Sequence, residues 1–128
     1  MIILDTHTWI WMESAPAMLG TAAAREIKNA RRIGISAISC WEFAMLVRKG
    51  RISLDRDPLE WMQRSLDCPG RELLPITPAV ATASAGFGGD FHGDPADRII
   101  VATALMESAT LISKDERIRR LQVVRTVW

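Results

Sequence analysis

The sequence predicts an α/β fold with a mainly parallel central sheet and helices on both faces. Short apolar runs alternate along the chain with segments of helical character, an order that builds parallel strands joined by crossover helices. Runs such as Met1-Ile2-Ile3-Leu4 are apolar at every position and read as buried strands. Acidic residues stand where these runs meet helices: Asp5, Glu42, Asp97 and Asp115. With 128 residues, 48% of them apolar, the chain can bury one substantial core, and residues 1–128 are read as a single domain.

The elements follow in order. Residues 1–4 are the first strand, bounded by Asp5-Thr6-His7-Thr8, and a helix over 9–13 breaks near Pro16. Residues 21–32 are alanine-rich with charges at Arg25, Glu26 and Lys28, an amphipathic helix that Gly34 is expected to close. Residues 35–38 form the second strand. Ser39 and Glu42 have the S-x-x-E spacing of a capping box, for a helix that runs to Lys49 and stops at Gly50. Pro58 opens a helix over 58–66, residues 72–76 read as a short strand, and Thr77-Pro78 starts a helix over 79–85. Four glycines between Gly86 and Gly93 mark a loop, which ends at the helix start Asp94-Pro95. Residues 98–107 are apolar nearly all round and predict a central helix. A strand over 110–112, a helix over 115–121 and a strand over 123–127 complete the chain.

The formal net charge of +1 neither requires nor excludes a polyanionic partner. Thirteen of the 16 basic residues are arginine, which pairs bidentately with phosphate, although a genome-wide bias gives the same count. Cys40 and Cys68 lack metal-ligand spacing, and nothing calls for an oxidising compartment. No leader pattern or membrane-length apolar stretch is visible, so a cytoplasmic, membrane-free protein is expected. A P-loop, a GxGxxG fingerprint, a GxSxG elbow and a zinc-ligand pattern are all missing from the sequence.

The carboxylates carry the chemistry. The carboxyl ends of parallel strands lie along one edge, and α/β folds bind ligands there. Two like charges about 4 Å apart repel by about 4 kcal/mol at an effective dielectric near 20, so acids gathered at that edge call for a cation. All-oxygen ligand sets suit Mg²⁺ or Mn²⁺. Structural roles compete: Glu42 in a capping box, Asp94 capping the helix that Pro95 opens with Asp97 in its first turn, and Asp115 with Glu116 favouring a helix N-terminus. Asp5 follows a strand that needs no acid. His7 reads as a packing residue beside the acids and His92 as a loop residue. Trp9, Trp11 and Trp41 read as core or subunit contact in preference to a platform for bases.

Several segments, in their order along the whole chain, resemble the PIN-domain ribonucleases, and among them the VapC-type toxins of toxin–antitoxin pairs. Ile3-Leu4-Asp5-Thr6-His7 is similar to the family's opening strand and first acid. Ile38-Ser39-Cys40-Trp41-Glu42-Phe43-Ala44 resembles the segment of the second acid. His92-Gly93-Asp94-Pro95-Ala96-Asp97-Arg98 with its apolar continuation is the most specific match, and Leu111-Ile112-Ser113-Lys114-Asp115 resembles the fourth acidic segment. The resemblance implies a three-layer α/β/α fold, Mg²⁺ or Mn²⁺, cleavage of RNA phosphodiesters, homodimers, and a cognate antitoxin that covers the site. Carried over, the catalytic set is Asp5, Glu42, Asp97 and Asp115, the metal ligands are Asp5, Asp94, Asp97 and Asp115, and Ser113 is a hydroxyl near the substrate. Arg48, Lys49, Arg51 and Arg98 are expected to bind RNA along the groove. The dimer contact is expected to use Trp9, Trp11 and Met12 or the helix over 21–32. Two other readings compete. The Asp5 segment partly mimics the D-x-D-x-T motif of haloacid-dehalogenase-like phosphatases, with His7 replacing the second Asp. A catalytically silent PIN-like binding module is the other.

Overall fold

The computed structural model describes residues 1–128 apart from Asp90 and His92, so the expectation for His92 lies outside the described residues. Five parallel strands form one sheet: β1 (Ile2–Leu4), β2 (Ile33–Ser36), β3 (Arg71–Leu74), β4 (Thr110–Ile112) and β5 (Thr126–Val127). Their spatial order is β3-β2-β1-β4-β5. The helices are α1 (Thr6–Ser14), α2 (Thr21–Asn29), α3 (Ala37–Arg48), α4 (Pro58–Leu66), α5 (Pro78–Gly86), α6 (Pro95–Met106) and α7 (Glu116–Arg120).

The sheet divides the core in two because successive strand residues face opposite sides. Ile2 and Leu4 of β1 pack with Trp9, Ile10, Ala23, Ile35, Phe43 and Ile112, so α1, α2 and α3 contribute to one layer. Ile3 and Leu111 point to the other side and meet Ile100, Val101, Ala104 and Ile118 of α6 and α7. The α/β/α expectation and the parallel sheet hold. Trp9 is fully buried, with its ring 5.2 Å from Trp61, and Phe43 stacks on Trp61 at 4.2 Å. Trp9 Nε1 donates to Ser65 Oγ at 2.8 Å, which satisfies its polar edge. The expectation that α1 exposes apolar groups for a dimer contact is therefore corrected at Trp9, which the domain hides within its own core.

Several boundaries shift for identifiable reasons. Helix α2 ends at Asn29, and residues 33 and 34 join β2, where Ile33 pairs with Ile2 and with Arg71. Gly34 does not cap a helix. A Cβ there would lie 2.6 Å from Leu74 Cδ1 and 3.1 Å from Ile3 Cγ1, so the missing side chain leaves room for theirs. Strand β3 stops before Pro75, which has no N–H for a ladder. Only Thr126 and Val127 pair with β4, after a turn in which Gln122 has φ +55°. The capping box fails as well. Ser36 is the N-cap of α3, its hydroxyl accepting from Ile38 N at 3.3 Å, and Ser39 lies inside the helix.

Candidate active site

The strand order places a site. The chain builds β1, β2 and β3 toward one edge, then returns to lay β4 and β5 on the opposite side of β1. This reversal between β1 and β4 is the topological switch point, where the loops leaving the two strands part and open a crevice. Asp5 follows β1 and is the N-cap of α1, its Oδ1 accepting from Thr8 N at 2.8 Å. Asp115 follows β4 and is the N-cap of α7, accepting from Arg117 N at 2.8 Å and Ile118 N at 3.3 Å. Glu42 projects from α3, the helix that follows β2. Asp94 is the N-cap of α6, taking the N–H of Ala96 at 2.9 Å, and Asp97 sits in that helix's first turn.

These five carboxylates share a cleft of about 450 Å³, lined also by Thr6, His7, Trp11, Lys114 and Arg117. The proton affinities record the crowding. Asp97 is pushed up from 3.8 to about 7, first by burial, then by Asp94, Asp115, Glu42 and Asp5. Burial raises Glu42 above the ordinary carboxylate range, with Asp94 and Asp5 adding to the rise while Thr6 and His7 oppose it. Lys114 and Arg117 are the basic residues that line the cleft. Lys114 Nζ sits 5.8 Å from the Trp11 ring centre, and an Arg117 nitrogen lies 3.6 Å from Asp115 Oδ2.

Buried hydroxyls hold the acids from behind. Ser113 is fully buried; its Oγ donates to Asp5 Oδ2 and accepts from Asp115 N at 3.1 Å, linking the β1 and β4 edges. Thr6 Oγ1 is hydrogen-bonded to Glu42 Oε1. Among the described residues, no three Asp, Glu, His or Cys side chains form a ready cage for a metal ion as they stand. Asp5, Asp94 and Asp115 each give one oxygen to helix N–H groups. The donor set nevertheless has the chemistry of a hard cation site, with five carboxylates in one cleft and one acid driven to hold its proton near neutrality.

The PIN domain family matches residues 2–124. The chain belongs to the PIN-domain family. This PIN domain is 36% identical over 129 residues to Ribonuclease VapC22 of Mycobacterium tuberculosis, a match that covers 99% of this chain and 98% of that protein. Its fold is similar to a chain of a toxin–antitoxin complex from Klebsiella pneumoniae, with TM-score 0.70 at 18% identity, covering 100% of this chain and 97% of that one. It is also similar to a chain of VapBC2 from Rickettsia felis bound to a promoter DNA fragment, with TM-score 0.69 at 19% identity, covering 99% and 98%. At these identities the two solved structures speak for the fold.

Within this PIN domain the sequence-predicted residues divide. Asp5, Glu42, Asp94, Asp97 and Asp115 come together in the cleft. Ser113 is drawn to the site but lies buried beneath Asp5, so it supports the acids and is not positioned to touch a substrate. Arg98 is also displaced from the expected role. It donates to the carbonyls of Ser84, Phe87 and Phe91 at 3.2 Å each, with its guanidinium 5.4 Å from the Phe91 ring centre, and so braces the glycine-rich loop. Arg48, Lys49 and Arg51 are exposed at the far end of α3 and do not line the cleft. Arg48 lies six positions along the helix from Glu42, roughly 9 Å of rise. The sequence reading missed Lys114 and Arg117 as cleft cations. Their signal was adjacency to Asp115, at the start of a helix that follows a strand.

Proposed function

We propose that this PIN domain is a metal-dependent endoribonuclease that hydrolyses RNA phosphodiester bonds, and that it is the toxin of a type II toxin–antitoxin pair. The supporting observation is the cleft of five carboxylates at the switch point, in a chain 36% identical end to end to Ribonuclease VapC22. Asp5, Asp94, Asp97 and Asp115 would hold Mg²⁺ or Mn²⁺, which when bound lowers the pKa of water and offsets charge on the phosphate. Glu42, with its raised proton affinity, suits a role as the base that takes a proton from attacking water. Lys114 and Arg117 meet the RNA backbone at the mouth of the cleft, and Arg48, Lys49 and Arg51 extend the basic track outside it. An apolar shelf of Ile38, Trp41, Pro95 and Ala96 shares Glu42 and Asp94 with the cleft. It suits a cognate antitoxin whose apolar segment lies there and sets a cation against the acids. A homodimer in the cytoplasm completes the proposal; among the described residues no helix is long and apolar enough to cross a membrane.

The test is cleavage of RNA by purified protein with Mg²⁺ or Mn²⁺, with EDTA, and in Asp5→Asn and Asp97→Asn. Cleavage that needs the cation and disappears in both variants is expected. Turnover of a small phosphomonoester in its place favours the phosphatase reading, and tight partner binding with no turnover favours the silent module.

A further inference from the structure

Two buried hydroxyls from different elements stand behind the Glu42 carboxylate. Thr6, the first residue of α1, is 3% exposed, and Ser39, three residues before Glu42 on α3, is fully buried. Thr6 Oγ1 lies 3.0 Å from Ser39 Oγ and is hydrogen-bonded to Glu42 Oε1. A hydroxyl carries one proton, and an ionised carboxylate only accepts. The Thr6 proton therefore goes to Glu42, and Ser39 supplies the proton of the second contact. The outcome is a directed chain from Ser39 through Thr6 to Glu42 Oε1, which leaves Glu42 Oε2 for the cleft.

Neither hydroxyl serves a helix end. Asp5 caps α1 and Ser36 caps α3. The neighbouring Thr8 shows the structural alternative, since its hydroxyl donates to the Ile112 carbonyl at 3.1 Å and ties α1 to the sheet. A fold that needed only packing at positions 6 and 39 would be served by apolar residues of the same size, without buried hydroxyls to satisfy. We propose that Thr6 and Ser39 are positioning residues that fix the rotamer of Glu42 in the cleft. The inference rests on the nuclease reading, in which Glu42 acts on the attacking water.

The experiment compares wild type with Thr6→Val, Thr6→Ser, Ser39→Ala, Glu42→Gln and Thr6→Val/Glu42→Gln. RNA cleavage is measured with saturating Mn²⁺, and thermal unfolding is measured on the metal-free proteins. Thr6→Val should lower kcat about 10- to 100-fold with KM for RNA unchanged, the usual size for losing a group that orients a reacting one. Thr6→Ser should recover most of kcat, since it keeps the hydroxyl. The double variant should be no slower than Glu42→Gln alone, and the melting-temperature changes of the two single variants should be non-additive in the metal-free protein. A folded Thr6→Val with full kcat beside an inactive Glu42→Gln overturns the positioning role and leaves the nuclease reading standing. A fully active Glu42→Gln overturns that role of Glu42, and the metal-free melts still report separately whether Thr6 holds it. If Thr6→Val does not fold, Ser39→Ala decides: a severalfold loss of kcat at constant KM supports the chain of hydroxyls, and an unchanged kcat overturns it.

Discussion

Asp97 is the carboxyl on which the rest of the cleft acts, and its behaviour with pH is a direct reading of that crowding. Its folded-state value of about 7 lies above the ordinary 3.8. Between those values the folded chain keeps a proton that the unfolded chain has released, so stability falls as pH rises across the interval. The contribution is fully present below about pH 4 and gone above about pH 7. Glu42, also raised, adds a slope of the same sign. Metal-free wild type should therefore melt lower at pH 8 than at pH 5.5, and Asp97→Asn should flatten that slope and melt higher than wild type at pH 8. A melting temperature independent of pH in wild type would remove the crowding argument. Ser113 supplies a second test at this scale. Ser113→Ala leaves Asp5 Oδ2 and the Asp115 N–H without their buried partner and should cost about 1–3 kcal/mol. Urea denaturation measures that loss, and cleavage should fall with it because both acids lose their support.

At the scale of elements, helix N-termini do most of the arranging. Asp5, Asp94 and Asp115 are N-caps of α1, α6 and α7. Capping and a place in the cleft prove compatible, since one oxygen accepts backbone N–H groups while the residue still lines the cavity. The reading of Asp5 as an acid with no structural task is corrected by its bond to Thr8 N. Glu42 is the reverse case. Its expected capping box does not exist, and its side chain is tied to Thr6. The sequence pattern could not separate these, because S-x-x-E has the same spacing inside a helix as at its start. At the opposite end of the sheet, Gly70 precedes β3 with φ +80°, and a Cβ would lie 2.6 Å from the Arg31 carbonyl oxygen. Gly70→Ala should destabilise the fold by about 1–3 kcal/mol through strain and collision with backbone. Chemical denaturation tests this. Activity at permissive temperature should survive, because the change is remote from the cleft.

For the whole molecule, the strand order decides which acids meet. Positions 5, 42 and 115 are distant in the chain, yet β1 lies between β2 and β4, so the segments leaving those strands are neighbours, while Asp94 and Asp97 enter the cleft from the start of α6, the helix that leads into β4. The proposed toxin role is tested in growing cells. Induction of wild type should arrest growth, Asp5→Asn at equal soluble level should not, and a partner encoded beside the gene should restore growth to wild type. Equal growth of wild type and Asp5→Asn rejects the toxin role. The basic residues make a separate prediction: replacing Lys114 and Arg117 together should weaken RNA binding and reduce its dependence on salt, because fewer counterions are released. Binding measured over a range of salt concentrations checks this, and an unchanged slope places the RNA elsewhere.

The amino-acid sequence by itself determined the α/β class, nearly all the elements and the five acids of the cleft. Those signals are local: apolar runs, Pro at helix starts, Gly at turns, and acids at strand-to-helix junctions. The tertiary structure alone decided which oxygen of each acid is spent on a helix end, that Ser113 and Thr6 stand behind the acids, and that Arg98 braces a loop. It also decided that Trp9 belongs to the core, and that Lys114 and Arg117 are the cations facing the acids. Each of these depends on where a side chain points once distant strands pair. That direction is set by packing across the sheet, as when Trp9 closes against Phe43 and Trp61 from two other helices, and no spacing within a single segment encodes it.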